Sequence, residues 1–135
     1  MGIKEGSTAV LVDVPQDVIA LLSFDGVTFK KKLGGSFDYI HLFTTTQEDF
    51  LQKFPLLKTH LKANGMLWVS WPKAKQLHTN LSLRKIIELG YNYGLVESTA
   101  LSIDAVWSAL KFTHPKHGKD YQNSYGQLKS VTTKR

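Results

Sequence analysis

Phe37-Asp38-Tyr39-Ile40-His41-Leu42-Phe43 and Gly65-Met66-Leu67-Trp68-Val69-Ser70-Trp71-Pro72-Lys73 are two short, mostly apolar runs, stopped by Thr44-Thr45-Thr46 and by Pro72. A helix-length segment, Gln47 to Ala63, lies between them. Strand, helix and strand at this spacing form a βαβ unit, which requires a parallel sheet. Inside the helical segment Phe50, Phe54, Leu57 and Leu61 recur at helical spacing, and Thr46 with Asp49 approximates a capping box. Pro55 predicts a kink or two shorter helices, and Asn64-Gly65 predicts the helix end. Ligands of such sheets sit outside the carboxyl ends of the strands, so the fold locates a site before any residue names its chemistry.

Upstream, Thr8 to Val14 reads as a first strand, Pro15 opens a short helix over Asp17 to Leu22, and Val27-Thr28-Phe29-Lys30 alternates like an edge strand. Lys30-Lys31-Lys32 would then guard that edge against pairing with another chain. Downstream, Ala74 to Thr79 is a polar loop and Leu81 to Tyr93 a helix stopped by Gly94. Leu95 to Leu101 and Ala105 to Phe112 follow as an antiparallel hairpin turned at Ser102-Ile103-Asp104.

The chain has 135 residues, which suits one α/β domain over residues 1–113 and a flexible basic tail over residues 114–135. The formal net charge of +6 sits mostly in that tail. Residues 1–110 carry 11 basic and 10 acidic side chains, whereas six basic side chains and only Asp120 follow. Such a tail could touch nucleic acid weakly, with Tyr121 and Tyr125 available for stacking. The absence of cysteine excludes disulfides, thiolate nucleophiles and Cys-based zinc sites. No apolar run reaches the ~18 residues of a membrane span. With no secretory signal in view either, the expectation is a cytoplasmic protein without a membrane partner.

The run Phe37-Asp38-Tyr39-Ile40, the Gly-led strand at Gly65, the helix after it and the closing hairpin resemble the second half of a methyltransferase-like Rossmann fold. Gly65 to Lys73, with its Trp-Pro-Lys ending, and Asp104-Ala105-Val106-Trp107-Ser108-Ala109-Leu110-Lys111-Phe112 are more closely similar to a family of short bacterial proteins of unknown function. That likeness spans roughly residues 2–113. Ala105 and Ala109 stand where the family pattern has an acidic residue and a glycine, which weakens any carry-over of function at the hairpin. The resemblance implies a three-layer, Rossmann-like, reduced methyltransferase-like fold. Its sheet would be mostly parallel, of about six strands, with a C-terminal antiparallel hairpin. The Asp13 and Phe37 strands would be central neighbours, and one βα unit would be missing between Val14 and Phe37.

A Rossmann cofactor site wants glycines after the first strand, where this chain reads Asp13-Val14-Pro15-Gln16-Asp17, and an acidic residue after the second, where it reads Phe29-Lys30-Lys31-Lys32. No cofactor is therefore assigned, and no catalytic residue. His114 and His117 lack further ligands around them, so no metal is expected. His41, inside an apolar strand, reads as a hydrogen-bonded core residue. The candidate ligand-binding set is Asp13, Pro15, Thr44, Thr45, Trp71, Lys73, Asp104 and Trp107, all at the carboxyl ends of strands or beside them. Trp71, Lys73, Asp104 and Trp107 would gather there as aromatic walls with a cation and a carboxylate, able to hold a small ligand. The leading functional expectation is a non-enzymatic binding or interaction domain for a small molecule or protein. The alternatives are a divergent methyltransferase-like enzyme or S-adenosylmethionine- or nucleotide-binding protein built around Asp13, Thr44 and Trp71, and nucleic-acid association through the tail.

Overall fold

The computed structural model describes residues 3–22, 24–73, 77, 79–115, 121–123 and 126–128. Eight strands and two α-helices are described. Six strands form one mixed sheet in the order β2-β1-β3-β4-β6-β5. Here β1 is Thr8–Val12, β2 Thr28–Lys30, β3 Phe37–Phe43, β4 Leu61–Pro72, β5 Val96–Ser102 and β6 Trp107–Thr113. The first four strands run parallel, while β6 is antiparallel to both β4 and β5. The α/β class, the neighbouring Asp13 and Phe37 strands and the C-terminal hairpin agree with the sequence pattern.

Helix α1, Gln47–Lys58, starts at Thr46, whose hydroxyl accepts from the Asp49 amide at 3.1 Å. It runs unbroken through Pro55 and ends at Lys58, five residues before Ala63 and earlier than the pattern predicts. The reason is pairing with β3: the Phe37 amide donates to the His60 carbonyl at 2.8 Å, and Leu61 lies opposite Phe37. A ladder partner thus captures residues that periodicity alone assigns to the helix. Gly65 is consequently not a helix cap but part of a bulge, where a side chain would stand 3.0 Å from the Phe37 carbonyl oxygen.

Helix α2, Leu83–Asn92, is capped by Ser82, whose hydroxyl accepts from the Lys85 amide at 3.2 Å, and the chain leaves it through Gly94 at φ 81°. Both helices press on one face of the sheet. Phe50, Phe54 and Leu57 of α1 and Ile86, Ile87 and Tyr91 of α2 share a core with Ile40, Leu42, Leu67, Val69, Leu110 and Phe112. The other face presents Ala9, Tyr39, Trp68 and Ala109, then Phe43 and Trp107. What covers it, among the described residues, is Leu22 from a 3₁₀ turn at Ile19–Leu22 and Val18 just before that turn, with Phe24 and neighbours. The three-layer expectation is corrected accordingly: the short helix foreseen after Pro15 is one tight turn, and no second helical layer lies there among the described residues. In the tail, expected to lack regular structure, Tyr121–Asn123 (β7) and Gly126–Leu128 (β8) pair as an antiparallel hairpin. Tyr125, His117 and most of the basic residues of the tail lie outside the described residues.

Candidate functional site

The strand order reverses direction between β1 and β3, since β2 lies on one side of β1 and β4 on the far side of β3. In open α/β sheets that reversal leaves a crevice at the carboxyl ends of the two strands. Asp13 follows β1 and Thr44 follows β3, so both flank it. Asp13 sits at φ 59°, in the left-handed region that aspartate tolerates better than most residues. Its side chain is about half exposed at 52%.

Helix α1 delivers two more groups to this place. Lys53 forms a salt bridge with Asp13, and a second one with Asp49 at 2.9 Å. The Thr44 hydroxyl donates to Asp49 Oδ2 at 2.6 Å. Partial burial pushes the Asp49 carboxyl up, but hydrogen bonds from Thr44 and Lys53 outweigh it, and it titrates below the usual carboxylate range. The hydrogen bond to Asp13, then that to Asp49, holds the Lys53 ammonium above its ordinary value. Two carboxylates and one ammonium leave the crevice with a balance of −1. Lys53 was legible only as the fourth residue after Asp49, a spacing that puts both on one helix face.

Thr45 serves the frame of the site: its carbonyl accepts from the buried Thr79 hydroxyl at 2.6 Å. Beside it the Gln47 amide donates to Asn80 Oδ1 at 2.8 Å, tying the loop after β4 to the start of α1. The Pro15 carbonyl accepts from the Val18 amide at 3.0 Å and shapes the turn after Asp13.

The four hairpin candidates do not form one pocket. Trp71 lies in the core on the helix-covered face, whereas Trp107 packs with Phe43 on the other, at 5.2 Å between ring centroids. Their strands are adjacent, with Trp71 opposite Ser108 and Pro72 opposite Trp107, and adjacent residues along a strand face opposite sides. Lys73 does not pair with the Asp104 carboxylate. Its ammonium donates to the Asp104 backbone carbonyl at 2.6 Å, and Asp104 Oδ1 accepts from the amides of Val106 and Trp107 at 2.9 and 2.8 Å. These residues build a turn and clamp it to β4.

A polar chain runs under the second face. Tyr39 Oη lies 2.5 Å from His41 Nδ1, and His41 Nε2 lies 2.6 Å from Ser70 Oγ. His41 stacks on Phe43 at 4.4 Å and is fully buried, as is Ser70. Desolvation lowers the imidazole to about 3, so it is neutral and bridges two hydroxyls, donating to one and accepting from the other. Asp38 of the Phe-Asp-x-Ile run lies at the opposite end of the sheet, where it accepts from the Thr8 amide at 2.9 Å and pairs with Lys62 at 3.2 Å. Among the described residues no cluster of metal-ligating side chains occurs, and no helix is long and apolar enough to cross a membrane.

No protein-family model matches the chain, and no curated protein does. Solved structures do share its fold. A ribosomal protein L11 methylase from Lactobacillus delbrueckii subsp. bulgaricus superposes with TM-score 0.58 at 15% identity, over 85% of this chain and 72% of that one. A TehB-like SAM-dependent methyltransferase from Corynebacterium glutamicum gives 0.56 at 13% identity, over 84% and 83%. A magnesium protoporphyrin IX methyltransferase from Synechocystis, with bound SAH, gives 0.53 at 14%, over 72% and 55%. The expectation of a non-enzymatic interaction domain is overturned by these neighbours, which favour the methyltransferase-like alternative instead. The glycine-free bend after β1 turns at Asp13, which adopts a left-handed conformation.

Proposed function

We propose that the chain is a divergent methyltransferase-like enzyme that binds S-adenosylmethionine in the crevice between β1 and β3. One observation carries the reading: Asp13, Thr44, Asp49 and Lys53 converge at the carboxyl ends of the two central parallel strands, where the strand order reverses. A half-exposed carboxylate in a crevice of balance −1 suits a ligand with a cationic sulfonium and ammonium. The same fold in solved methyltransferases supports the assignment at the level of architecture. When bound, S-adenosylmethionine supplies an electrophilic methyl group. Toward it Asp13 offers a carboxylate, Thr44 and Asp49 fix the crevice wall, and Lys53 holds Asp13 in place. The fit is at the Asp13 end. At the end of β2, Lys30 and Lys31 stand where a carboxylate would receive ribose hydroxyls.

The test is calorimetric titration of S-adenosylmethionine and S-adenosylhomocysteine into the full chain. Saturable binding is expected, weakened roughly tenfold by Asp13→Asn, the scale of one charge-assisted hydrogen bond. No binding of either compound at millimolar concentration would sink the reading.

The two tryptophan motifs support membership of the short bacterial family they resemble. They meet across the β4–β6 ladder, and the Lys73 amide donates to the Val106 carbonyl at 2.7 Å, so each motif needs the other to form.

A further inference from the structure

A cavity of about 260 Å³ opens on the helix-covered face of the sheet, where the β5–β6 hairpin meets the first turn of α2. We propose that it binds a small aromatic carboxylate, with the ring against Trp71 and Leu83 and the carboxylate on Ser102, Ser108 and Lys73.

Strand pairing fixes which side chains face this cavity. Trp71 of β4 lies opposite Ser108 of β6, and Ser108 lies opposite Ser102 of β5. Residues directly opposite in an antiparallel ladder share a face, so these three form one row across the sheet. Trp71 belongs to the core beneath the helices, which puts both serines on that side too. Ala100 stands two residues before Ser102 along β5 and therefore faces the same way. Leu83, the first residue of α2, closes the side and stays 40% exposed. An indole, a leucine and an alanine make a wall suited to a flat apolar body. A cavity of roughly 150 Å³ suffices for benzene, and drug-sized ligands take roughly 300–1,000 Å³. This one suits a single ring with one small substituent.

The polar end is set by the same row. The Cβ atoms of directly opposite residues lie roughly 4.5–5.5 Å apart, a spacing at which two hydroxyls can each donate to one oxygen of a carboxylate. Ser108 is half-buried, and its hydroxyl has no hydrogen-bond partner among the described residues. Lys73 follows Trp71 by two residues, and its ammonium donates to Ser102 Oγ at 2.5 Å and to the Asp104 carbonyl at 2.6 Å. Both acceptors are neutral. Lys73 takes part in no salt bridge among the described residues, whereas Lys53, Lys62 and Lys85 all do. The Asp104 carboxylate on the neighbouring turn accepts from the amides of Val106 and Trp107 instead. Among the described residues the lining contains no acidic side chain. A cation with neutral partners, two hydroxyls and an apolar wall together attract an anion carried on an apolar body. Aliphatic acids share that charge, but the indole favours a flat ring.

The inference does not rest on the cofactor reading, because none of these residues belongs to the crevice beside Asp13. Benzoate is titrated calorimetrically into the full chain without S-adenosylmethionine, beside benzamide, acetate and cyclohexanecarboxylate. Saturable benzoate binding is expected, tighter than cyclohexanecarboxylate and at least roughly tenfold tighter than benzamide or acetate. Ser108→Ala should weaken benzoate roughly tenfold and leave the melting temperature unchanged, since that hydroxyl has no partner in the folded chain to lose. Lys73→Gln, which keeps a hydrogen-bonding head but not the charge, should weaken benzoate by a similar factor and leave benzamide as it was. The exposed variant Leu83→Asp should repel benzoate, while Asp13→Asn should leave its binding intact. No saturation at millimolar benzoate, or any of the three comparison compounds binding as tightly, would overturn the proposal. So would binding indifferent to Ser108→Ala or Lys73→Gln, or binding lost in Asp13→Asn.

Discussion

His41 illustrates how a residue with catalytic chemistry becomes structural once its surroundings are fixed. Both ring nitrogens are spoken for by buried hydroxyls, and Phe43 covers one face of the ring. The folded imidazole takes a proton only near pH 3, whereas the unfolded one does so at its ordinary 6.5. Between those values the unfolded chain binds the extra proton, so stability falls as pH drops from about 6.5 toward 3, by up to about 1.4 kcal/mol per unit. Denaturant midpoints measured across that range should show the loss, and His41→Phe should flatten the share of the slope that this residue contributes. The same variant should lose roughly 1–3 kcal/mol at neutral pH, because Tyr39 and Ser70 each lose a buried hydrogen-bond partner. Lys53 is the contrasting case. Its ion pairs are exposed enough that Lys53→Met should change stability by less than about 1 kcal/mol. Its larger effect should be on affinity for a cationic ligand, which rises when Asp13 is released, and calorimetric titration would read that directly.

The elements are positioned by a few close approaches rather than by propensity. Gly90 of α2 lies against β6, where a side-chain carbon would fall 2.1 Å from the Phe112 ring. Phe112 is fully buried and packs edge-on to Phe54 of α1 at 5.2 Å, so it has little room to yield. Gly90→Ala should therefore destabilise the fold by about 1–3 kcal/mol. This opposes the gain of up to about 1 kcal/mol that alanine brings to an exposed helix position, and chemical denaturation decides the sign. Helix α1 invites the reverse experiment. Pro55 lies in its interior and cannot donate to the preceding turn, yet the helix continues past it. Packing of Phe50, Phe54 and Leu57 on the sheet offsets that loss. Pro55→Ala should raise stability, and an unchanged or lowered denaturation midpoint would show that the proline relieves some other strain.

On the scale of the molecule, the sheet is sheltered by two helices on one face and, among the described residues, by little more than a 3₁₀ turn on the other. Strands β3 and β4 lie in the middle, paired on both sides, while β2 has three residues and one partner. Hydrogen exchange should accordingly be slowest in β3 and β4, opening only with global unfolding, and fastest in β2 and the 3₁₀ turn. Uniform protection across the sheet would contradict this. The sequence by itself determined the βαβ unit, the limits of β3, the start of α1 at Thr46, the stop of α2 at Gly94 and the order of the hairpin. Each of these is written in local patterns: the short apolar run Phe37–Phe43 stopped by Thr44-Thr45-Thr46, Thr46 three residues before Asp49, and Gly94 after a helical repeat. Only the tertiary structure decided that β4 begins at Leu61, that Trp71 and Trp107 face opposite sides, and that Lys53 of α1 reaches Asp13 forty residues away. Those facts depend on register and on which face each element covers. Register comes from pairing between distant segments, a property that no stretch of chain carries alone.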